Sequence, residues 1–299
     1  MQAIAMLALV AQVEGGAIEA EAGWSEVPIA WEDGRLVVRV ATAGRESLRF
    51  LLDTAAQTTV IGRWLRSGPG VTSLERFAAV HGAGGTSAME RVTLDTLRLA
   101  GVSFEGVRAV VMDLQRVFGP GPRIDGILGG DLLSRFDVEI DLPRRRLRLS
   151  RPGALETHGM LELRPGRSLF VTFDALVEGR PVRAVLDTGF GEFGILNWQA
   201  AETVGIGRTS ARVRRSEDGT RGVDGRTVPT HLVRLDSVAL GGLRFGGRRA
   251  RIADLPVFRS FGLHGEPALL VGTAALQGCV VRIAYQARRV RLCDSAENG

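Results

Sequence analysis

Two aspartates stand in matching surroundings in this chain of 299 residues. The first triplet is Asp53-Thr54-Ala55 and the second is Asp187-Thr188-Gly189, and each follows an apolar run typical of a buried strand. Burying one unpaired carboxylate is costly, so a chain with two in such settings is expected to bring them together. Two close carboxyl groups tend to share a proton and can then act as a general acid/base pair.

The similarity between the two halves extends well beyond the triplets. Asp53 and Asp187 are 134 positions apart, and later segments match with shifts of 141 and then 143. The matched segments are 97–104 with 238–245, 136–140 with 279–283, 145–149 with 288–292, and Gly129 with Gly272. Order and spacing agree, which favours two tandem half-domains over a chance similarity of Arg-rich hairpins.

The hydrophobic pattern predicts an all-β chain with little helix. A hairpin is expected around Asp33-Gly34, the strand 48–52 delivers Asp53, and a short helix begins at Asp131. The predicted organisation is a leader or signal peptide over 1–23, an N-terminal lobe over 24–150, a linker over 151–159 and a C-terminal lobe over 160–295.

With these elements in place, the chain resembles the aspartic peptidases. The resemblance rests on the two triplets and on the hydrophobic-hydrophobic-Gly segments 126–133 and 269–276. The first half looks most like the retropepsin-type domains of bacterial proteins, and two such halves in one chain resemble the pepsin arrangement. This implies two β-barrel lobes related by a pseudo-twofold axis, a monomeric pseudo-dimer, and an aspartic endopeptidase activity without a cofactor.

The resemblance also implies a role for each residue of the two triplets. Asp53 and Asp187 would share a proton, activate a water between them and protonate the peptide that the water attacks. Thr54 and Thr188 would hydrogen-bond across the interface, because a hydroxyl both donates and accepts. Ala55 and Gly189 must be small, because the backbones approach closely there.

A substrate peptide would lie extended and pair with two hairpin flaps. Gly-rich stretches predict the flap tips, because glycine suits a moving lid. The candidates are His81, Gly82, Gly84 and Gly85 in the first half, and Asp218 and Gly219, within 216–225, in the second.

Downstream of the second triplet, two residues differ from those that the family usually has. Phe190 stands where the family usually has a small or hydroxyl residue, and Glu192 either adds a third carboxylate near the dyad or points to solvent. These departures keep two other readings open. One is a weakly active or inactive peptide-binding relative, and the other is a structural β-protein whose aspartates only cap turns.

Composition excludes several classes of function. All 38 basic residues are Arg and are spread through both halves, the net charge is only +5, and there is one Tyr, which argues against nucleic-acid binding. No Cys/His cluster has metal-ligand spacing, so no metal is expected. Beyond the apolar segment 3–11, no stretch is long enough to span a membrane.

The leader and the two cysteines bear on localisation. The segment 3–11 has signal-peptide length but lacks a preceding basic residue. Cys279 and Cys293 would face each other if their hairpin had a three-residue loop, which leaves open a cross-strand disulfide or two reduced cysteines. A periplasmic or secreted location is favoured, and a cytoplasmic one stays open.

Overall fold

The protein is described by a computed structural model that covers residues 3–5, 7–8, 18–19, 23–82, 85–164, 169–222 and 226–294. Strands account for 51% of the structure and helices for 10%, which confirms the all-β class. The strands of the first 150 residues are β1 (Ala3–Ala5), β2 (Leu7–Ala8), β3 (Ile18–Glu19), β4 (Ser25–Glu32), β5 (Arg35–Thr42), β6 (Arg45–Leu52), β7 (Val60–Gly62), β8 (Val71–Gly82), β9 (Gly85–Leu99), β10 (Val102–Met112), β11 (Gly126–Leu128), β12 (Asp137–Asp141) and β13 (Arg146–Ser150).

The second half repeats this plan with shorter strands around its own hairpins. Its strands are β14 (Leu161–Glu162), β15 (Thr172–Val177), β16 (Arg180–Asp187), β17 (Gly194–Leu196), β18 (Arg214–Arg215), β19 (Thr220–Gly222), β20 (Thr227–Val228), β21 (His231–Leu240), β22 (Leu243–Ile252), β23 (Ala268–Gly272), β24 (Val280–Ala284) and β25 (Arg289–Asp294). The short helices are α1 (Leu114–Phe118), α2 (Gly130–Leu133), α3 (Trp198–Thr203) and α4 (Val257–Ser260). Among the described residues, no helix has the length and apolar character needed to cross a membrane.

The burial of alternate residues explains why these segments are strands. In β4, Val27 and Ile29 are buried while their neighbours Glu26 and Pro28 are exposed, as expected for one face on a core. The end of β6 differs, because every residue over 50–52 is buried. This continuous apolar run is covered on both faces, and it carries the chain into the interior at Asp53.

Each half closes into a barrel by the same sequence of pairings. In the first half the order β5-β6-β11-β7-β10-β9 is closed by a pairing between β5 and β9. In the second half the order β15-β16-β23-β17-β22-β21 is closed by a pairing between β15 and β21. In both barrels the strand before the Asp-Thr triplet lies parallel to the strand of the downstream Gly segment. The chain therefore contains two tandem domains of one architecture, as the repeat predicted.

A separate group of strands joins the two domains. Hairpin β12–β13 of the first half and hairpin β24–β25 of the second lie side by side, and β12 pairs antiparallel with β24. Glu139 pairs with Arg282, which is its own counterpart 143 positions later. The pseudo-twofold axis therefore passes between these two residues.

Opposite charges meet at this axis. Arg282 Nε donates to Glu139 Oε2 at 2.8 Å, and Arg148 Nη1 donates to Glu139 Oε1 at 2.7 Å. Burial raises the pKa of Glu139, but the hydrogen bonds from Arg282 and Arg148 outweigh it and hold the pKa below its ordinary value. The contact between the domains thus includes a buried carboxylate that stays ionised.

The last hairpin carries a disulfide between Cys279 and Cys293, whose Cα atoms are 4.6 Å apart. The assumption of a three-residue loop is wrong, because Ala284 pairs with Arg289 and leaves four residues between the strands. A bulge between Val280 and Arg282 then shifts the register again. The two cysteines therefore meet despite a different register from the one assumed.

Replacing both cysteines with serine should lower the free energy of unfolding by about 3 kcal/mol, because the bond closes a loop of roughly 15 residues in the unfolded chain. Denaturant unfolding of the parent and of the Cys279→Ser/Cys293→Ser variant measures this difference. Adding a reductant should destabilise the parent by a similar amount and leave the variant unchanged. Equal midpoints for parent and variant would contradict the stabilising role.

Candidate active site

Asp53 is held by the backbone that follows it. The residue comes directly after β6, and its N–H donates to the carbonyl of Leu128 at 3.1 Å. Its Oδ1 accepts hydrogen bonds from the N–H groups of Ala55 and Ala56, each at 3.0 Å. The side chain is buried, with 2% of the residue exposed. The tight turn after the strand therefore fixes one carboxylate oxygen and leaves Oδ2 for other contacts.

Asp187 occupies the matching position in the second domain. It is the last residue of β16, it pairs with Gly272 of β23, and it is fully buried. Its Oδ1 accepts from the N–H of Gly189 at 2.9 Å, while its Oδ2 has no hydrogen-bond partner among the described residues. An unpartnered buried carboxylate oxygen is costly unless it is protonated or meets another polar group.

Gly189 shows that the two carboxylates flank one small space. A Cβ atom on Gly189 would lie 2.6 Å from Asp53 Oδ2 and 3.2 Å from Asp187 Oδ1. Both oxygens therefore lie close to the position that this Cβ would occupy, although the two aspartates are 134 positions apart. A side chain at this position would collide with the first carboxylate, which explains why the residue is glycine.

Thr54 and Thr188 lock the two loops together by reciprocal hydrogen bonds. Thr54 N donates to Thr188 Oγ1 at 3.0 Å, and Thr188 N donates to Thr54 Oγ1 at 3.2 Å. Each hydroxyl in turn donates to a carbonyl of the opposite domain, Thr54 to Leu186 at 2.8 Å and Thr188 to Leu52 at 2.7 Å. Each hydroxyl thus uses both its donor and its acceptor function in a buried, twofold arrangement.

Burial and proximity raise the pKa of both aspartates. Burial raises the pKa of Asp53 to about 7, against the opposing effect of the N–H bonds from Ala55 and Ala56. Burial and then the charge of Asp53 raise the pKa of Asp187 well above its ordinary value. The two groups titrate as a pair, so a proton held between them is retained toward neutral pH.

The raised pKa values predict a loss of stability with rising pH. The folded dyad holds a proton that the unfolded chain releases near pH 3.8, so the stability that this proton contributes is complete at lower pH and is lost as the pH rises through about 7. Between pH 4 and 8 the free energy of unfolding should fall by on the order of 4 kcal/mol more in the parent than in Asp53→Asn/Asp187→Asn. Denaturant unfolding at several pH values measures this difference, and parallel curves would contradict it.

A further buried aspartate, whose role the sequence did not indicate, supports the first loop. Asp131 lies in α2, and its two oxygens accept from the N–H and the hydroxyl of Thr59, each at 2.9 Å. Burial raises its pKa to about 6. In the segment 126–133, Asp131 is the one polar side chain among apolar residues and glycines. This isolated aspartate was the signal from which its role could have been predicted.

The first flap candidate lies at the end of a long hairpin. Strands β8 and β9 pair, with a shift of register between Leu74 and Phe77, up to the position where Gly82 faces Gly85, and His81 is the last residue but one of β8. Gly84 lies outside the described residues. The structure therefore places His81, Gly82 and Gly85 at a hairpin tip, as a flap requires.

The second flap candidate is corrected in part. Asp218 and Gly219 precede the short hairpin of β19 and β20 and lie at its base, and the connection 223–225 lies outside the described residues. The reason is that the chain folds back only after Gly222, whose N–H donates to the carbonyl of Arg226 at 2.8 Å. Glycine content alone did not distinguish the base of this hairpin from its tip.

The segment before the first domain runs along both hairpins. Residues of β1 pair in parallel with β19, with Ile4 opposite Arg221. Residues of β2 pair antiparallel with β8, with Leu7 opposite Gly82 and Ala8 opposite His81. The backbone N–H and C=O groups of both hairpins can therefore form hydrogen bonds with an extended segment of chain.

The two departures from the family pattern do not occupy the space between the carboxylates. Phe190 is fully buried in an apolar cluster with Phe170 and Val185. Glu192 neither joins the dyad nor stands free in solvent, because Arg251 binds both of its oxygens at 2.7 Å. Sequence reasoning missed Arg251, whose partner is 59 positions away and which only the fold brings close.

No group of three or more His, Cys, Asp or Glu side chains within the described ranges is arranged to hold a metal ion. At the site, backbone N–H groups bind the two carboxylates, and the hydroxyls of Thr54 and Thr188 hold the two loops together. Such an arrangement can take a proton from a water and give one to a bound substrate.

Comparison with known proteins identifies the family. The sequence profile of a family described as aspartyl protease matches residues 38–132 and 173–275, about two thirds of the chain in two copies. This chain belongs to the aspartyl protease family. A crystal structure of a retropepsin-like aspartic protease from Rickettsia conorii is similar over 44% of this chain and 94% of its own, with 20% identity and a TM-score of 0.31. A comparison with curated proteins found no match.

Proposed function

We propose that this protein is an endopeptidase that hydrolyses peptide bonds with Asp53 and Asp187. The observation that carries the proposal is the pair of buried carboxylates on either side of Gly189, held by reciprocal threonine bonds. Two such groups with raised pKa values suit general acid/base work at acid to neutral pH.

In the proposed reaction, the pair carries one proton and one negative charge. The ionised carboxylate takes a proton from a water as the water oxygen bonds to the peptide carbonyl carbon. The protonated carboxyl gives its proton to the carbonyl oxygen, which forms a neutral tetrahedral diol. As the C–N bond breaks, the protonated carboxyl gives its proton to the leaving nitrogen and the ionised carboxylate takes a proton from a hydroxyl of the diol, so the pair is again singly protonated.

The path of the proposed substrate is supported by the chain's own amino-terminal segment. Strands β1 and β2 pair with the second and the first hairpin, one in parallel and the other antiparallel. A peptide in extended form would find the same backbone donors and acceptors, so main-chain bonds would supply affinity with little demand on sequence. We infer that the substrate class is an unfolded protein or a flexible peptide.

The disulfide supports an exported location. Cytosolic thiols are kept reduced, whereas a disulfide persists in the periplasm or outside the cell. The bond between Cys279 and Cys293 therefore favours a periplasmic or secreted enzyme over a cytoplasmic one.

The experiment that tests the function is cleavage of an unfolded protein by the purified full chain between pH 3 and 8. New peptide termini, detected by mass spectrometry, should form in the parent sample and be absent from an Asp187→Asn sample at equal concentration. Parent protein that leaves the substrate intact over the whole range, while still folded, would overturn the proposal.

A further inference from the structure

A buried arginine lies beside the loop that carries Asp187. Arg251 belongs to β22 and pairs with Ile195 of the strand that follows this loop, and only 5% of the residue is exposed. Its Nε donates to Glu192 Oε2 and its Nη2 to Glu192 Oε1, both at 2.7 Å. This two-pronged geometry is the strong form of a charged hydrogen bond, and a lysine cannot reproduce it.

The third nitrogen of the same guanidinium holds the base of the second hairpin. Arg251 Nη1 lies 3.1 Å from Ser216 Oγ, 3.1 Å from the carbonyl of Gly219 and 3.2 Å from Thr230 Oγ1. Ser216 and Gly219 precede β19, and Thr230 follows β20. One side chain therefore connects the loop after Asp187 to both ends of the hairpin.

Among the residues of the first domain that the structure describes, none makes an equivalent connection. The counterpart of Glu192 is Thr58, and Val111 takes the place of Arg251, since it pairs with Ile61 as Arg251 pairs with Ile195. The first hairpin instead has a long ladder from Val71 to Gly82. In the second hairpin the described ladders are short, with two pairs of β18 with β21 and two of β19 with β20, and Arg251 binds the stretch between them.

We propose that Arg251 is a positioning residue that fixes β19, and with it the second flap, relative to Asp187. This inference rests on the proposed function, because β19 is the strand expected to pair with the substrate backbone. Arg251 is not placed at the reacting atoms. Its loss should therefore weaken the binding of peptides more than it slows the chemical step.

The test compares peptide cleavage by the parent, Arg251→Lys and Glu192→Gln. Lysine keeps the charge but cannot bridge Glu192 and the hairpin together, so KM should rise about tenfold or more while kcat changes by less than about threefold. Glu192→Gln should do the same by removing the charge that holds the guanidinium. Arg164→Gln is the matched control, because Arg164 makes a similar two-pronged pair with Asp174 on an exposed face.

Hydrogen exchange supplies a second measurement that needs no activity. Amides of 216–222 should exchange faster in Arg251→Lys and Glu192→Gln, while those of β9 keep their protection. A parent that cleaves nothing would refute the proposed function, and exchange alone would then decide whether Arg251 anchors the hairpin. Unchanged exchange over 216–222, or a fall in kcat at constant KM, would overturn the assignment.

Discussion

Replacing Asp53 or Asp187 with asparagine should lower kcat/KM for peptide cleavage by about a thousandfold or more. General acid/base transfer by positioned groups supplies about 10² to 10⁴ in rate, and the amide of asparagine transfers no proton under these conditions. Because the two carboxyls act as one unit, Asp53→Asn/Asp187→Asn should be no slower than either single variant. Initial rates with a quenched fluorescent peptide measure all three.

A buried aspartate away from the dyad is the matched control for this loss. Asp137 is 1% exposed, and its Oδ2 accepts from the N–H groups of Gly153 and Leu155, each at 2.9 Å. Asp137→Asn should lower stability but retain the activity of the folded fraction. Single Asn variants at 53 and 187 that cleave as fast as the parent would refute the assignment of the dyad.

Replacing Gly189 with alanine should reduce kcat/KM by about a hundredfold, the scale associated with misplacing a reacting group by about 1 Å. The added methyl would lie 2.6 Å from Asp53 Oδ2 and 2.8 Å from its Cγ, so the carboxylate or the loop of Gly189 must shift and the geometry of the dyad must change. Steady-state kinetics at the optimum pH measure the loss, and unfolding curves show whether the fold survives it.

The equivalent position of the first domain provides the control. Ala55 already carries a methyl group there, is fully buried and packs in an apolar cluster with Phe190. Ala55→Gly removes this methyl and should cost stability without blocking the space between the carboxylates. Equal activities for Gly189→Ala and the parent would show that this space is not where the reaction occurs.

Much of this site could be predicted because its signals are local and repeated. An apolar run followed by Asp-Thr and a small residue indicates a strand that ends inside the protein, and a second copy 134 positions later supplies the partner. The hydroxyl of Thr54 has a matching hydroxyl at Thr188, so the duplicated sequence already contains both sides of the lock. The internal repeat therefore predicted a contact between the two halves without any information on the three-dimensional structure.

The parts that could not be predicted depend on side chains from distant segments. Arg251 is one of many arginines, and nothing near it in the sequence indicates that its partners are Glu192, Ser216 and Gly219. The bulge after Val280 changes the register of the last hairpin without any glycine or proline within the strand. Long-range ion pairs and bulges leave no periodic pattern, so sequence periodicity does not detect them.

The pairing of Glu139 with Arg282 has a consequence for the two halves as separate molecules. If two copies of the first half associated through β12 in the same register, glutamate would face glutamate, and two copies of the second half would set arginine against arginine. Like charges directly opposite on neighbouring strands are unfavourable, and the two glutamates would also be buried. Arg148 would still offset Glu139 and Asp294 would still offset Arg282, but neither homodimer would have the bond between Glu139 and Arg282, so the mixed pair of halves is favoured over either symmetric pair.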